Sequence, residues 1–387
     1  MNPPRPPFRA DQVGSLLRSP ALKAARARRA ADEITREQLT LVEDREIRIL
    51  IGKQEAVGLR GVTDGEFRRS WWHFDFLEGL SGVTPVRASH GIAFQGGVQS
   101  QQKGLRVDEP LGFPQDHPFL DHFRFLRANT KATAKMTIPS PSVLHFRGGR
   151  AAVSPEIYPA MDQFFVDLGN AYHDAVQAFA KAGCRYLQLD DVNFAYLCDD
   201  DQREMLRARG DDPAKLPAIY ADLINRAIAG RPPEMAITTH LCRGNFKSSW
   251  IARGGYERVA ELLFNAVNVD AYFMEWDTER AGGFEPLRFL PRGPKKVVLG
   301  LVTSKTGDLE SKDGLKRRID EAARYAPIEQ LCLSPQCGFS STEDGNILTE
   351  ESQWAKLRTI VEVAEEVWGS PGFTEADVTS GEAVANL

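Results

Sequence analysis

Residues 234–246 read EMAITTHLCRGNF. A short apolar and β-branched run ends on His240 and Cys242, then breaks at Gly244. Such a run, bounded by turn residues, is a buried strand whose last residues carry chemistry. The same pattern recurs on both sides. CRYLQLDD at 184–191 ends on two aspartates, and VDAYFME at 269–275 ends on Glu275. KVVLGLV at 296–302 and EQLCLSP at 329–335 complete the later set. Three earlier candidates are RADQVGS at 9–15, LRGVTD at 59–64 and the proline-interrupted AKMTIPSPSVL at 134–144.

Helical stretches separate most of these runs. One opens at TREQ, 35–38, where Thr35 and Gln38 have capping-box spacing. Others lie at about 155–182, 212–229, 255–265, 313–326 and 350–368. Eight strands alternating with helices predict a single-domain α/β fold over 1–387, a closed (β/α)8 TIM barrel. ASHGIAFQGGVQSQQKGLRVDE at 88–109 alternates around a Gly-Gly pair. It predicts a hairpin inserted after the second strand, over about 85–111. The tail at 370–387 is expected to be flexible.

Composition narrows the function classes. The chain has 387 residues, 42% hydrophobic and 26% charged, with a formal net charge of -5. No dense Lys/Arg stripe exists, which argues against nucleic acid as a partner. No apolar run is long enough for a transmembrane span, and the proline-rich start lacks a signal-peptide core. Five cysteines, an odd number, do not suggest a disulfide framework. A reducing cytoplasm is the expected location.

In a barrel, the strand ends that carry His240, Cys242, Glu275 and Cys337 converge on one face. Imidazole, carboxylate and two thiolates suit four-coordinate zinc and disfavour magnesium or calcium. Taken singly, each residue has a plainer reading. Buried cysteines often serve as small apolar residues, and Glu275 is equally compatible with a salt bridge. Cys184, Cys198 and Cys332 read as structural. His73, His90, His117, His122 and His173 have no ligand partners by spacing. Trp71 and Trp72 are compatible with loop core or with an interface.

Several motifs together carry a resemblance. HLCRGNF at 240–246, YFMEWD at 272–277 and CLSPQCGFSS at 332–341 resemble the catalytic barrel of cobalamin-independent methionine synthase, and more closely its short single-barrel relatives. DQVGSLLR at 11–18, VTDGEFRRSWW at 62–72 and LQLDD at 187–191 match the same family in order. The resemblance implies a cytoplasmic zinc enzyme with His240, Cys242, Glu275 and Cys337 as ligands. It further implies methyl transfer to the thiol of homocysteine, giving methionine. Glu66 and Asp190 correspond to carboxylates that bind the substrate amino group, and Ser15 to a contact of its carboxylate.

Two positions depart from the family pattern. In GLVTSKTGD, 300–308, Lys305 stands where the larger enzymes have a histidine that serves the leaving group. In IPSPSVLHF, 138–146, His145 and Phe146 replace an Asn-Trp ending and become candidate substrate contacts. The methyl donor therefore stays open between a methylated folate and a methyl-corrinoid. Alkyl transfer to another small thiol, such as epoxide opening, and a non-catalytic zinc-binding barrel are the competing readings. Nothing in the sequence gives the oligomeric state.

Overall fold

A computed structural model describes residues 5–88 and 91–369. The tail expected to be flexible, 370–387, lies outside the described residues, as does His90. The strands are β1 (Gly61–Val62), β2 (Ser81–Arg87), β3 (Lys103–Gly112), β4 (Thr133–Pro139), β5 (Tyr186–Asp191), β6 (Ala236–Leu241), β7 (Ala271–Glu275), β8 (Lys296–Val302) and β9 (Leu331–Pro335). Seven of them form one sheet in the order β1-β4-β5-β6-β7-β8-β9, every pair parallel. β2 and β3 form a separate antiparallel pair.

Helices cross between the strands and cover the outside of the sheet. Arg36–Ala56 opens with a full capping box on Thr35 and Gln38. Met161–Lys181, Leu216–Ile228 and Glu257–Ala266 pack side by side through faces of buried apolar residues. β4 to β9 are buried along nearly their whole length, as parallel strands sandwiched between two layers must be. Gly300 in β8 shows how close that packing is. A Cβ there would stand 2.8 Å from the Gln336 Cα and from the Met274 carbonyl oxygen. No helix among the described residues is long and apolar enough to cross a membrane.

The closed eight-stranded barrel expected from the sequence does not form. The parallel sheet has seven strands and is an open, unclosed half-barrel with its edges 11 Å apart. The segment expected to supply the first strand, 9–15, joins β9 only through the Ala10–Leu333 bridge. The carbonyls of 12–14 are taken by side chains instead, while Arg9 O accepts the Leu333 N–H and Ser15 O the Phe339 N–H. Lys135 Nζ donates to Gln12 O, Gln188 Nε2 to Val13 O at 2.6 Å, and Thr63 Oγ1 to Gly14 O at 2.6 Å. Asp11 accepts from the backbone N–H groups of Phe8 and Gln12. Backbone groups satisfied by side chains do not need a strand partner, so the ladder to β1 is never made.

Candidate metal centre

The parallel order brings the C-terminal ends of β5 to β9 to one edge of the sheet, where sites form in α/β folds. His240 lies within β6 and pairs in register with Asp190 of β5. Cys242 follows β6, Glu275 ends β7 and Cys337 follows β9. One ligand atom from each of His240, Cys242, Glu275 and Cys337 lies within 4.8 Å of the other three. All four residues are buried. A His/Cys/Glu cluster able to coordinate a metal ion is therefore present.

Local structure aims the donors. Glu275 Oε1 accepts the Arg243 backbone N–H at 2.8 Å, and Oε2 accepts Arg280 Nη2 at 3.1 Å. Burial pushes the Glu275 carboxyl up, but Lys305 and Arg280 more than offset it and hold the group ionised below its ordinary range. Cys242 Sγ lies 3.4 Å from Cys337 Sγ and accepts the Gly244 N–H at 3.3 Å. Neither ring nitrogen of buried His240 has a hydrogen-bond partner. A buried imidazole with two idle nitrogens is costly unless something takes a lone pair. Two soft sulfurs, an imidazole and a carboxylate fit zinc better than a hard cation.

The cluster opens on a narrow cavity lined by Ser15, Glu66, Asp190, Trp71, Trp72 and Tyr196, among others. His240, Cys242 and Cys337 line it, and Glu275 does not. Glu66 sits on the DGEF turn with φ 60°, a left-handed conformation that costs about 1–3 kcal/mol for a non-glycine residue. Asp64 Oδ1 accepts the Glu66 N–H at 2.9 Å and helps hold the turn. Glu66 Oε1 accepts Thr137 Oγ1 at 3.0 Å and faces Arg69 Nη1 at 3.5 Å, whereas buried Oε2 has no partner. Burial, reinforced by nearby Glu66, pushes the Asp190 carboxyl up to about 7. Gln188 Nε2 donates to Asp190 Oδ1 at 2.7 Å. Ser15 Oγ accepts the Ser340 N–H at 3.3 Å, and a Cβ on Gly338 would come within 2.0 Å of that oxygen.

The three other candidates lie elsewhere. Lys305 is buried, and its Nζ donates to Gly244 O at 3.3 Å and to Asn245 Oδ1 at 3.4 Å, bracing the loop that carries Cys242. It does not line the cavity. His145 Nδ1 is bonded to Tyr220 OH at 2.8 Å, and Phe146 packs edge-on against Tyr196, both outside the cavity lining. Sequence reasoning did not assign Tyr196, Asn245 and Arg147 to the site. The Trp-Trp pair was the available signal for an aromatic wall. Trp71 stacks on Phe246 with ring centroids 5.4 Å apart, just past the metal loop.

Comparison with known proteins agrees with this geometry. The family profile described as the catalytic domain of cobalamin-independent synthase matches residues 150–366. An uncharacterised Bacillus subtilis protein, YxjH, is 52% identical over 363 residues, covering 94% of this chain and 95% of the relative. The crystal structure of a putative vitamin-B12 independent methionine synthase from Listeria monocytogenes superposes with a TM-score of 0.78 at 42% identity, covering 95% of this chain and all of that one. A B12-independent methionine synthase from a Shewanella species shares the fold, with a TM-score of 0.68 at 19% identity over 93% of this chain and 97% of its own. With a catalytic-domain match over more than half its length and a relative aligned almost end to end, the chain belongs to the cobalamin-independent methionine synthase family.

Proposed function

We propose that the chain is a zinc-dependent methyltransferase that methylates the thiol of homocysteine to give methionine. One observation carries this reading: a buried N, O, S, S donor cluster shares a narrow cavity with two buried carboxylates, one of which has an idle oxygen. Zinc, when bound, supplies the Lewis acidity that keeps a substrate thiol ionised near neutral pH. His240, Cys242, Glu275 and Cys337 are the residues that would hold it.

The chain's own groups bind and orient the amino acid. Glu66 and Asp190 receive the ammonium group, each as an acceptor of charged hydrogen bonds. Ser15 and the backbone around Gly338 lie beside the position for the carboxylate. Trp71, Trp72 and Tyr196 exclude water from the reacting sulfur. The thiol first loses its proton. Its sulfur then forms the new bond to the methyl carbon as the donor's bond to that carbon breaks, the electron pair leaving with the donor. An amine leaving group takes up a proton in the same process.

A product assay tests the reading. Homocysteine is offered with 5-methyltetrahydrofolate, its triglutamate and methylcobalamin, with other small thiols as acceptor controls. Methionine should form with at least one donor. Turnover of another thiol with none of homocysteine would reject the proposal.

A further inference from the structure

The loops that carry Cys242 and Cys337 follow strands that are not neighbours, and no backbone hydrogen bond joins 242–246 to 337–341 among the described residues. One side chain spans the gap. Asn245 Nδ2 donates to Gly338 O at 2.7 Å and to Ser341 Oγ at 3.0 Å. Gly338 follows Cys337 directly, and Ser341 Oγ lies 3.9 Å from Cys337 Sγ. Asn245 itself comes three residues after Cys242, whose Sγ accepts the intervening Gly244 N–H. We propose that Asn245 is a positioning residue that fixes the separation of the two sulfurs, so that they meet the metal as a preset pair. The inference rests on the zinc reading of the four donors and adds the residue that arranges two of them.

The amide is saturated. An Asn side chain has two N–H donors and two acceptor lone pairs. Here all four are used, because Oδ1 accepts Asn346 Nδ2 at 2.9 Å and Lys305 Nζ at 3.4 Å. Half a turn of the amide would set its oxygen against the Gly338 carbonyl, two acceptors facing each other. Its orientation is therefore fixed from both ends, in a buried place beside the cavity. The chain just beyond reinforces it. Phe246 and Ser249 exchange backbone hydrogen bonds around Lys247 and Ser248, at φ 49° and 64°. Such a two-residue turn favours Asn and Gly, and other residues hold it only under constraint. Asn346 supplies the constraint: its Oδ1 accepts the Ser248 N–H at 2.9 Å while its Nδ2 holds Asn245. Glu275 has its own orienting partners in the Arg243 N–H and Arg280. Asn245 does the equivalent for the sulfurs, and groups of this kind change metal affinity by about 10–100-fold.

Two measurements on the full-length protein test this. Competition with a chelator gives the zinc affinity, and the cobalt(II)-loaded protein gives a thiolate-to-cobalt absorption band that reports how the sulfurs bind. Asn245→Asp keeps the shape and both acceptor bonds but turns a carboxylate oxygen onto the Gly338 carbonyl. It should weaken zinc about tenfold or more and shift or weaken the cobalt band. Ser341→Ala removes only the second bond and should show the same changes to a smaller degree. Ser304→Ala strips a different hydrogen bond, of 3.0 Å, from the same Gly338 carbonyl without touching the Cys242 loop. It should leave affinity and band as in the wild type, whereas a merely structural role would make it equal to Asn245→Asp. Wild-type affinity and band in Asn245→Asp, or an equal loss in Ser304→Ala, would overturn the proposal. If Asn245→Asp does not fold, Ser341→Ala against Ser304→Ala decides in the same way. The two readings separate cleanly. Weakened zinc in Asn245→Asp, from a protein that forms no methionine, keeps the positioning role and removes the methyltransferase reading. Methionine formation with unchanged zinc affinity in Asn245→Asp does the reverse.

Discussion

Cys242 Sγ and Cys337 Sγ lie 3.4 Å apart across 95 residues of sequence, and neither is in a disulfide. Their strands, β6 and β9, are not neighbours; β7 and β8 lie between them. The sulfurs meet because each follows its strand's C-terminal end and the sheet curves around that point. Removing either sulfur takes one of four donors from a buried site. Cys337→Ser and Cys242→Ser should each lower bound zinc from about one per chain to a small fraction of that. Because the folded site binds the metal and the unfolded chain does not bind it equally, chelation should also lower the Tm of the wild type more than that of either variant. Elemental analysis and thermal melts check both, and full zinc in the two variants would discard this ligand set.

Glu66 has a buried oxygen with no partner and a strained backbone that points it into the cavity. Glu66→Gln preserves shape and removes the charge. The KM for homocysteine should rise about tenfold or more. Wild type should strongly prefer homocysteine to 4-mercaptobutyrate, which lacks the amine, and the variant should lose most of that preference. An unchanged preference would remove Glu66 from ammonium recognition.

Asp190 holds its proton in the fold up to about 7, through burial and then the nearness of Glu66. An unfolded aspartate ionises near pH 4, about three units lower. Between those values the folded chain carries a proton that the unfolded chain has released. The stability from this group is therefore full below about pH 4 and is lost as pH rises through about 7. Thermal melts across that window should show wild-type stability falling with pH and Asp190→Asn showing a shallower fall. Parallel curves would contradict the assignment. Homocysteine affinity should move the other way, rising with pH as the carboxylate forms.

Lys305 braces the metal loop through Gly244 O and Asn245 Oδ1, and its charge holds Glu275 ionised. We propose that it acts as a positioning residue. Lys305→Ala should weaken zinc about tenfold, the usual scale for a group that orients a ligand, measured by competition with a chelator. The donor KM should change little once zinc is saturating. Full zinc affinity together with a collapse of kcat would instead make Lys305 the proton donor to the leaving group.

Much of the local structure could be read from residue order. The apolar runs at 184–191, 234–240, 269–275, 296–302 and 329–335 mark β5 to β9 because strands buried on both faces leave a near-continuous apolar signal. The Thr35–Gln38 capping box is a three-residue relation and needs no tertiary partner. His240, Cys242, Glu275 and Cys337 stood out because each comes at or just after a strand end. Family motifs then tied Glu66, Asp190 and Ser15 to the same face.

The sequence by itself determined which donors exist, which strands present them and to which family they belong. Only the tertiary structure decided whether the sheet closes. That depended on Lys135, Gln188 and Thr63 reaching the carbonyls of 12–14 from distant segments, which no local pattern encodes. It also decided direction: Lys305 turns toward Gly244 and His145 toward Tyr220. Residue type and spacing say what a side chain can do, while burial and the competition among buried polar partners decide where it points.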